Sequence, residues 1–330
     1  MNTQQHFTNQ LNRRSFLNGV SVGIGSLALT SMLGPRGLAK EASPLASGGA
    51  VNPLHFAPKA KRVIHLCMAG GPSHLETLDY KPKLAEMNGK GMPKSITDGQ
   101  PIAQLQGNKA LKCLGPQHEF EKYGKSGQSI SKALPHIGGI ADDICIVRSM
   151  TTQQINHDPA HTFMNTGTQI SGRPSMGSWL SYGLGSANEN LPAFVVLLSG
   201  GGQPVPSRYW HNGFLPSRHQ GVKFQSSGDP VLFLSNPRGM SKENRRKTID
   251  RISALNQLKH RQSGDPEIEA RIDAFQLAYR MQSSVPELMD ISRESKEVLE
   301  SYGAQPGKAS FASNCLLARR LAEAGVRFIQ

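Results

Sequence analysis

Cysteine is scarce in this chain: 4 of 330 residues, at positions 67, 113, 145 and 315, with no C-x-x-C pair. That excludes a small disulfide scaffold and a cysteine-based zinc or redox module, which need closely spaced thiols. Acidic residues are also in short supply, 24 Asp and Glu against 37 Lys and Arg, for a formal charge of +13 and an isoelectric point near 9.7. Such an excess attracts anionic partners, among them nucleic acid, polyanionic glycan and phosphate or sulfate esters, and charge alone does not choose between them. Long apolar runs are missing too. The stretch from Gly19 to Leu33 is broken by Gly19, Gly23 and Gly25 and falls short of the roughly 20 apolar residues of a membrane span; no later segment approaches one. What is present, 37% hydrophobic residues with 34 Gly and 21 Pro, buries a core while leaving many turns. At about 150 residues per domain, the length fits two average domains or one large α/β domain.

The first 39 residues read as an address. Asn12-Arg13-Arg14-Ser15-Phe16-Leu17 precedes the Gly-rich apolar run, and Gly37-Leu38-Ala39 supplies small residues for a signal peptidase. This order predicts a twin-arginine signal over 1–39, cleaved after Ala39, and a periplasmic or secreted protein with no stable membrane span once the signal is removed. Losing Arg13, Arg14 and Arg36 lowers the charge from +13 to +10. Twin-arginine substrates cross the membrane folded, which raises the expectation of a loaded metal.

Residues 40–58, rich in Ala, Ser, Gly and Pro, read as a linker. Three short apolar runs then read as buried strands: Arg62–Met68, Asp143–Arg148 and Ala193–Leu198. Strands separated by long connections with helical segments predict an α/β fold, a largely parallel sheet flanked by helices. Cys67 and Cys145 lie inside two of these runs and are expected to be buried thiols. Residues 83–132 read as loop, and the core's N-terminal part is assigned to 59–239. From 240 to 303 apolar residues recur at helical spacing, for example Ala254, Leu255 and Leu258, which predicts a helical insertion. The basic run Arg245-Arg246-Lys247 within it reads as a solvated helix face, because no aromatic residues interleave with it to stack on bases. Residues 304–330 return to the core: a helix over Ala309–Gly325, then Val326–Gln330 as a strand. A strand at the last residue is read as a truncated element, which would make the chain an N-terminal part of a longer protein.

Two clusters follow strand ends, where open α/β sheets place their sites. Gly70-Gly71-Pro72-Ser73-His74-Leu75-Glu76-Thr77-Leu78-Asp79 packs a hydroxyl, an imidazole and two carboxylates into one loop, the types needed for a nucleophile or a metal ligand. The plainer reading has Ser73 and Asp79 capping helices. In Asn156-His157-Asp158-Pro159-Ala160-His161 the two histidines are four apart, so a helix puts both imidazoles on one face for a metal or a substrate anion. Here the plainer reading is an ordinary helix start, with Asp158 and Pro159 in its first turn. If the two strands are neighbours, His157 and His161 face the same cavity as Ser73 and His74.

The motifs from Met68 to Asp79, with Arg148-Ser149-Met150, Asn156-His157, Met164-Asn165-Thr166-Gly167, Arg173-Pro174-Ser175-Met176-Gly177-Ser178-Trp179 and Leu191-Pro192-Ala193-Phe194-Val195, occur in the order that resembles the exported bacterial family numbered 1501 among the domains of unknown function. The likeness runs from about Phe56 to the end. It implies kinship with alkaline phosphatases and sulfatases, and hence an alkaline phosphatase-like fold. Sulfatases carry their nucleophile in a C/S-x-P-S-R pattern ahead of Thr-Gly, and His157-Asp158-Pro159-Ala160-His161 leading to Thr166-Gly167 fits that frame. His157 then stands at the nucleophile's position and His161 at the arginine's. Imidazole cannot become formylglycine and has no hydroxyl, but it can form a phosphoryl-enzyme or bind a metal. The superfamily's Asp ligands after the opening strand are replaced here by Gly-Gly-Pro-Ser-His, leaving Ser73, His74 and Glu76 as the nearest polar substitutes; further ligands are expected beyond Gln330.

The resemblance therefore implies a metal-assisted hydrolase of a phosphate or sulfate ester. Its expected catalytic residues are His157 and Ser73, its substrate contacts His161 and Asn156, and its ligands for a divalent metal His74, Glu76 and His157. The partner is an anionic small molecule or glycan ester, and the export signal argues against nucleic acid. The competing expectation is a non-catalytic binder of anionic glycan that keeps the fold without the usual nucleophile.

Overall fold

The structure, a computed structural model, describes residues 48–51, 54–68, 70–99, 111–154, 156–199, 206–226, 228–232 and 234–330. The expected signal and the linker up to residue 47 lie outside the described residues. Along the chain, β1 (Val63–Ile64) leads to the short helices α1 (His74–Thr77), α2 (Pro82–Glu86) and α3 (Lys94–Thr97), then to strands β2 (Phe120–Tyr123) and β3 (Gln128–Ser131) and helix α4 (Pro135–Gly139). Helices α5 (His157–Thr166) and α6 (Met176–Leu184) precede β4 (Phe194–Leu197) and β5 (Val222–Phe224). The helices α7 (Lys242–Ser263), α8 (Pro266–Met289), α9 (Lys296–Tyr302) and α10 (Phe311–Glu323) follow, and β6 (Phe328–Ile329) comes last.

The main sheet is parallel throughout, in the order β1-β6-β4-β5. Phe328 is opposite Val63 on one side and Phe194 on the other, so β6 is an interior strand. Alternation along β4 and β6 sends side chains to two covered faces, as a parallel sheet requires, whereas both residues of β1, expected to be buried, are exposed. Val195, Phe224 and Ile329 pack with Met281 and Val285 of α8 and with Ala318 and Leu321 of α10. Phe194, Val196 and Phe328 pack on the opposite face with Tyr209 and Trp210, and the two phenyl rings meet edge to face at 5.2 Å. Each such side chain stabilises the fold by about 1.5–3 kcal/mol through burial. Helix α6 comes so close to the second face that a Cβ on Gly177 would sit 2.7 Å from the Phe194 ring; only glycine fits there.

The helical character of 240–303 is realised in α7, α8 and α9. Ser241 caps α7 by accepting from the Asn244 amide at 3.1 Å, and Gly264 ends it in a left-handed conformation. Asp265 caps α8, whose first residue is Pro266. Around the basic run, Arg246 pairs with Asp250 and Lys247 with Glu243 one turn away, all on the solvent face. Helix α8 also gives Met281 and Val285 to the main core, so this region is bound into the sheet's packing. Among the described residues no helix is long and apolar enough to cross a membrane.

Three expectations are corrected. Asp143–Arg148 is not a strand: residues 145–150 are irregular, with Val147 and Met150 exposed. Arg148 fixes this segment by donating to the Leu78 carbonyl, the Gln128 amide oxygen and the Ser129 carbonyl, so side-chain anchoring replaces a ladder. Cys67 and Cys145 are exposed, and all four cysteines are free thiols. Cys67 lies beyond the two residues of its run that pair in the sheet, and Cys145 lies in the irregular segment. Residues 83–132 are more than loop, because they hold α2, α3 and the antiparallel β2–β3 pair. Polar Glu121, Lys122, Gln128 and Ser129 gave that pair no apolar signature.

Candidate functional site

Beyond β1 the chain turns at Gly70 and Gly71, both left-handed at φ 81° and 62°, a conformation glycine adopts without a Cβ penalty. This turn meets the start of α5. The Gly70 amide donates to His161 Nε2 at 2.7 Å, and a Cβ on Gly70 would lie 3.6 Å from His157 Nδ1. The bond assigns the His161 tautomer: Nε2 accepts, so the neutral ring carries its proton on Nδ1. Burial, and then the neighbouring His157, hold His161 below the usual histidine range. His157 is exposed one turn earlier, and its ring has no hydrogen-bond partner among the described residues.

Asn156 is the N-cap of α5, yet its side chain makes no capping bond. The His157 and Asp158 amides therefore keep their donors, since Pro159 has none and Ala160 donates to the Asn156 carbonyl, and with the helix dipole they favour negative charge. Asp158 in that first turn is claimed by two groups from the segment after β4. Arg208 pairs with Asp158 Oδ1, and the Tyr209 hydroxyl donates to the same oxygen at 2.5 Å. Hydrogen bonds from Arg208 and then Tyr209 hold the Asp158 carboxyl below the usual range. Burial, then Asp158, pushes the Tyr209 phenol up to about 12, so it stays protonated at neutral pH. The Tyr209 ring meets His161 edge to face at 5.3 Å, which completes a wall from α5 to the loop after β4.

The first cluster is used differently. Ser73 is the N-cap of α1 but its hydroxyl makes no capping bond, and Asp79 pairs with Lys81 at 2.9 Å. Both Glu76 oxygens accept backbone amides: Gln117 at 3.1 and 2.9 Å, and His118 at 3.3 Å. Ser73 and His74 are exposed, and no hydrogen bond among the described residues links them or Glu76 to Asn156, His157 or His161. The turn at Gly70 is what joins the two clusters. These side chains do not fit a resident metal ion as they stand. Glu76 is committed to amides and His161 Nε2 to Gly70, and no three His, Cys, Asp or Glu side chains gather for a metal among the described residues.

A cavity of about 400 Å³ adjoins the site, with His161, Asn165 and Tyr209 in its wall together with Leu66, Leu197 and Leu198. Arg208 and Tyr209 had no role in the sequence reading. Their signal was the triplet Arg208-Tyr209-Trp210 beyond a strand end, in a chain with 2 Trp and 6 Tyr.

A parallel α/β sheet with a polar cluster beyond its β1 end defines the class of this molecule. The family described as "Protein of unknown function (DUF1501)" matches residues 60–330, and the chain belongs to that family. Neither the curated proteins nor the solved structures give a match.

Proposed function

We propose that this chain is an exported ester hydrolase of the phosphatase and sulfatase type, with its reacting centre between the Gly70 turn and the N-terminus of α5. The observation that carries this reading is the 2.7 Å bond from Gly70 to His161, which closes the end of β1 against a helix start bearing an uncommitted His157. A phosphate or sulfate group placed there meets the free amides of α5 and the Asn156 side chain. His157 attacks the phosphorus or sulfur and expels the ester's alcohol, which takes a proton from water, and a second water hydrolyses the resulting phosphoryl- or sulfuryl-imidazole; in the other route His157 takes the proton of an attacking water and returns it to the departing alcohol, while the Ser73 hydroxyl lies in the facing loop. His161, locked by Gly70, holds the turn in register and presents its Nδ1 proton. Metal enters this proposal only through its test, because the described side chains do not assemble a site for it.

The test is turnover of aryl phosphates and aryl sulfates, with and without added divalent metal, by the protein and by His157→Asn. A loss of kcat of about 100-fold or more is expected from removing a group that acts on the reacting atom. Turnover that survives His157→Asn unchanged overturns the assignment. The imidazole at the position of a hydroxyl or thiol nucleophile favours the second reading, a binder of anionic glycan without turnover. Tight binding of sulfated glycan with no hydrolysis of any ester would select it.

Export by the twin-arginine route is part of the same proposal. The mature protein is expected to begin at Lys40, and Arg13→Lys with Arg14→Lys is expected to keep it in the cytoplasm. Mass spectrometry of the exported fraction reads both, and an exported chain beginning at Met1 would refute it.

A further inference from the structure

The cavity beside His161 carries a feature that the chain's overall charge would not lead one to expect. No Asp, Glu, Lys or Arg is among its lining residues, although the chain carries 37 basic and 24 acidic side chains. Its two histidines are biased toward the neutral ring: burial lowers the pKa of His65, and burial with His157 lowers that of His161. Apolar walls come from Leu66, Leu197, Leu198, Phe311 and Ile329, with Trp210 beside Tyr209. The polar groups mostly satisfy one another. Gln330 donates to Asn165 Oδ1 at 2.9 Å, and Asn314 Nδ2 donates to Ser199 at 2.6 Å. Asn314 Oδ1, on a residue that is 6% exposed, and His65 Nδ1 are left buried without a partner.

We infer that this cavity receives the organic part of the ester, and that the part is a neutral, apolar-bodied group, aryl or branched alkyl. The inference rests on the hydrolase reading for the position of the ester group, but the cavity's own chemistry selects the class. A volume of about 400 Å³ is in the range of small-molecule sites. A wall without cations strips water from a polyanion and returns no counter-charge, so sulfated glycan is disfavoured; apolar surface gains from the same transfer.

Titration calorimetry with 2-naphthol, naphthalene-2-carboxylate and dextran sulfate tests this on the full chain. Saturable binding of 2-naphthol is expected, with the carboxylate weaker by about tenfold or more because its charge is buried without a partner. Leu198→Trp, which fills the cavity from a partly exposed position, is expected to weaken 2-naphthol by about tenfold or more. A measurement on the unaltered protein guards against variants that fail to fold. Cys67 and Cys315 both line the cavity, so 2-naphthol should slow their alkylation by iodoacetamide while leaving exposed Cys145 unaffected. Absence of saturable 2-naphthol binding, alkylation of Cys67 and Cys315 that 2-naphthol leaves unchanged, or protection by dextran sulfate in place of 2-naphthol would each overturn the inference. The two proposals separate cleanly: His157→Asn should abolish turnover and keep 2-naphthol binding. If no ester is turned over while 2-naphthol still binds and protects, the hydrolase reading fails and the cavity's preference for neutral ligands stands.

Discussion

The two sides of the main sheet obey different rules. At its centre, Phe194 and Phe328 are 1% exposed and covered on both faces, whereas Val63 and Ile64 of β1 are 38% and 44% exposed. All four belong to one parallel sheet, so the difference lies in what packs against each strand and not in strand type. The centre is held by α6, α8 and α10 together with Tyr209 and Trp210. The β1 side opens instead into the Gly70 turn and the candidate site. Stability is concentrated where nothing has to enter, and accessible surface is concentrated where chemistry is proposed.

Substitutions that load the two sides separately test this division. Phe328→Ala, which empties the interior strand of its largest side chain, should cost about 3–5 kcal/mol in denaturant unfolding. A loss under about 1 kcal/mol would show that the centre does not carry the fold. Gly177→Val pushes a side chain into the Phe194 ring and should cost about 1–3 kcal/mol by overpacking, seen as a lower Tm. On the open side, Ile64→Ala should cost about 1 kcal/mol or less.

Acid should separate the two sides as well. His219 is buried against Ser181 of α6, and burial, with Arg218 adding to it, lowers its pKa from 6.5 to about 4. Below pH 6.5 the unfolded chain therefore takes up the proton that the folded chain refuses, so stability falls as the pH drops from 6.5 toward 4. His219→Gln should flatten that part of the Tm profile; an unchanged slope would remove His219 as its source. The smallest effect is spectroscopic. Asp158→Asn removes one cause of the raised Tyr209 pKa, so the phenol's absorbance titration should move down from about 12 while burial keeps it above 10.

What could be read in the sequence was what local pattern controls. Ala193–Leu198, the helical spacing after Met240, the helix over 309–325 and the closing strand each depend on residues within a few positions of one another, and each formed. The pairing of His157 with His161 across one turn was legible for the same reason. Partners from distant positions were not. Glu76 accepts from Gln117 and His118, Asp158 from Arg208 and Tyr209, and Arg148 donates to Leu78 and the β2–β3 pair. A single sequence holds no periodicity that links such residues. The apolar run at Asp143–Arg148 misled for a related reason: apolar character states a preference for burial, and whether a neighbouring strand is there to receive it is a property of topology.

The place of β6 in the sheet governs the order in which this protein is assembled. It stands between β1 and β4, yet it is made after both of them and after α7 to α10. On the ribosome, then, β1 and β4 emerge without the strand that joins them, and their apolar residues wait through several helices' worth of synthesis. Closing so long a loop is a slow, entropically opposed event. The helices α7 and α8 form from local contacts and can appear early, and β4 can pair with β5, but β1 cannot join them until Phe328 is available. Expression should therefore be sensitive to whatever shields Phe194, Val195 and Val196 in that interval, since an unpaired apolar strand is the species that aggregates.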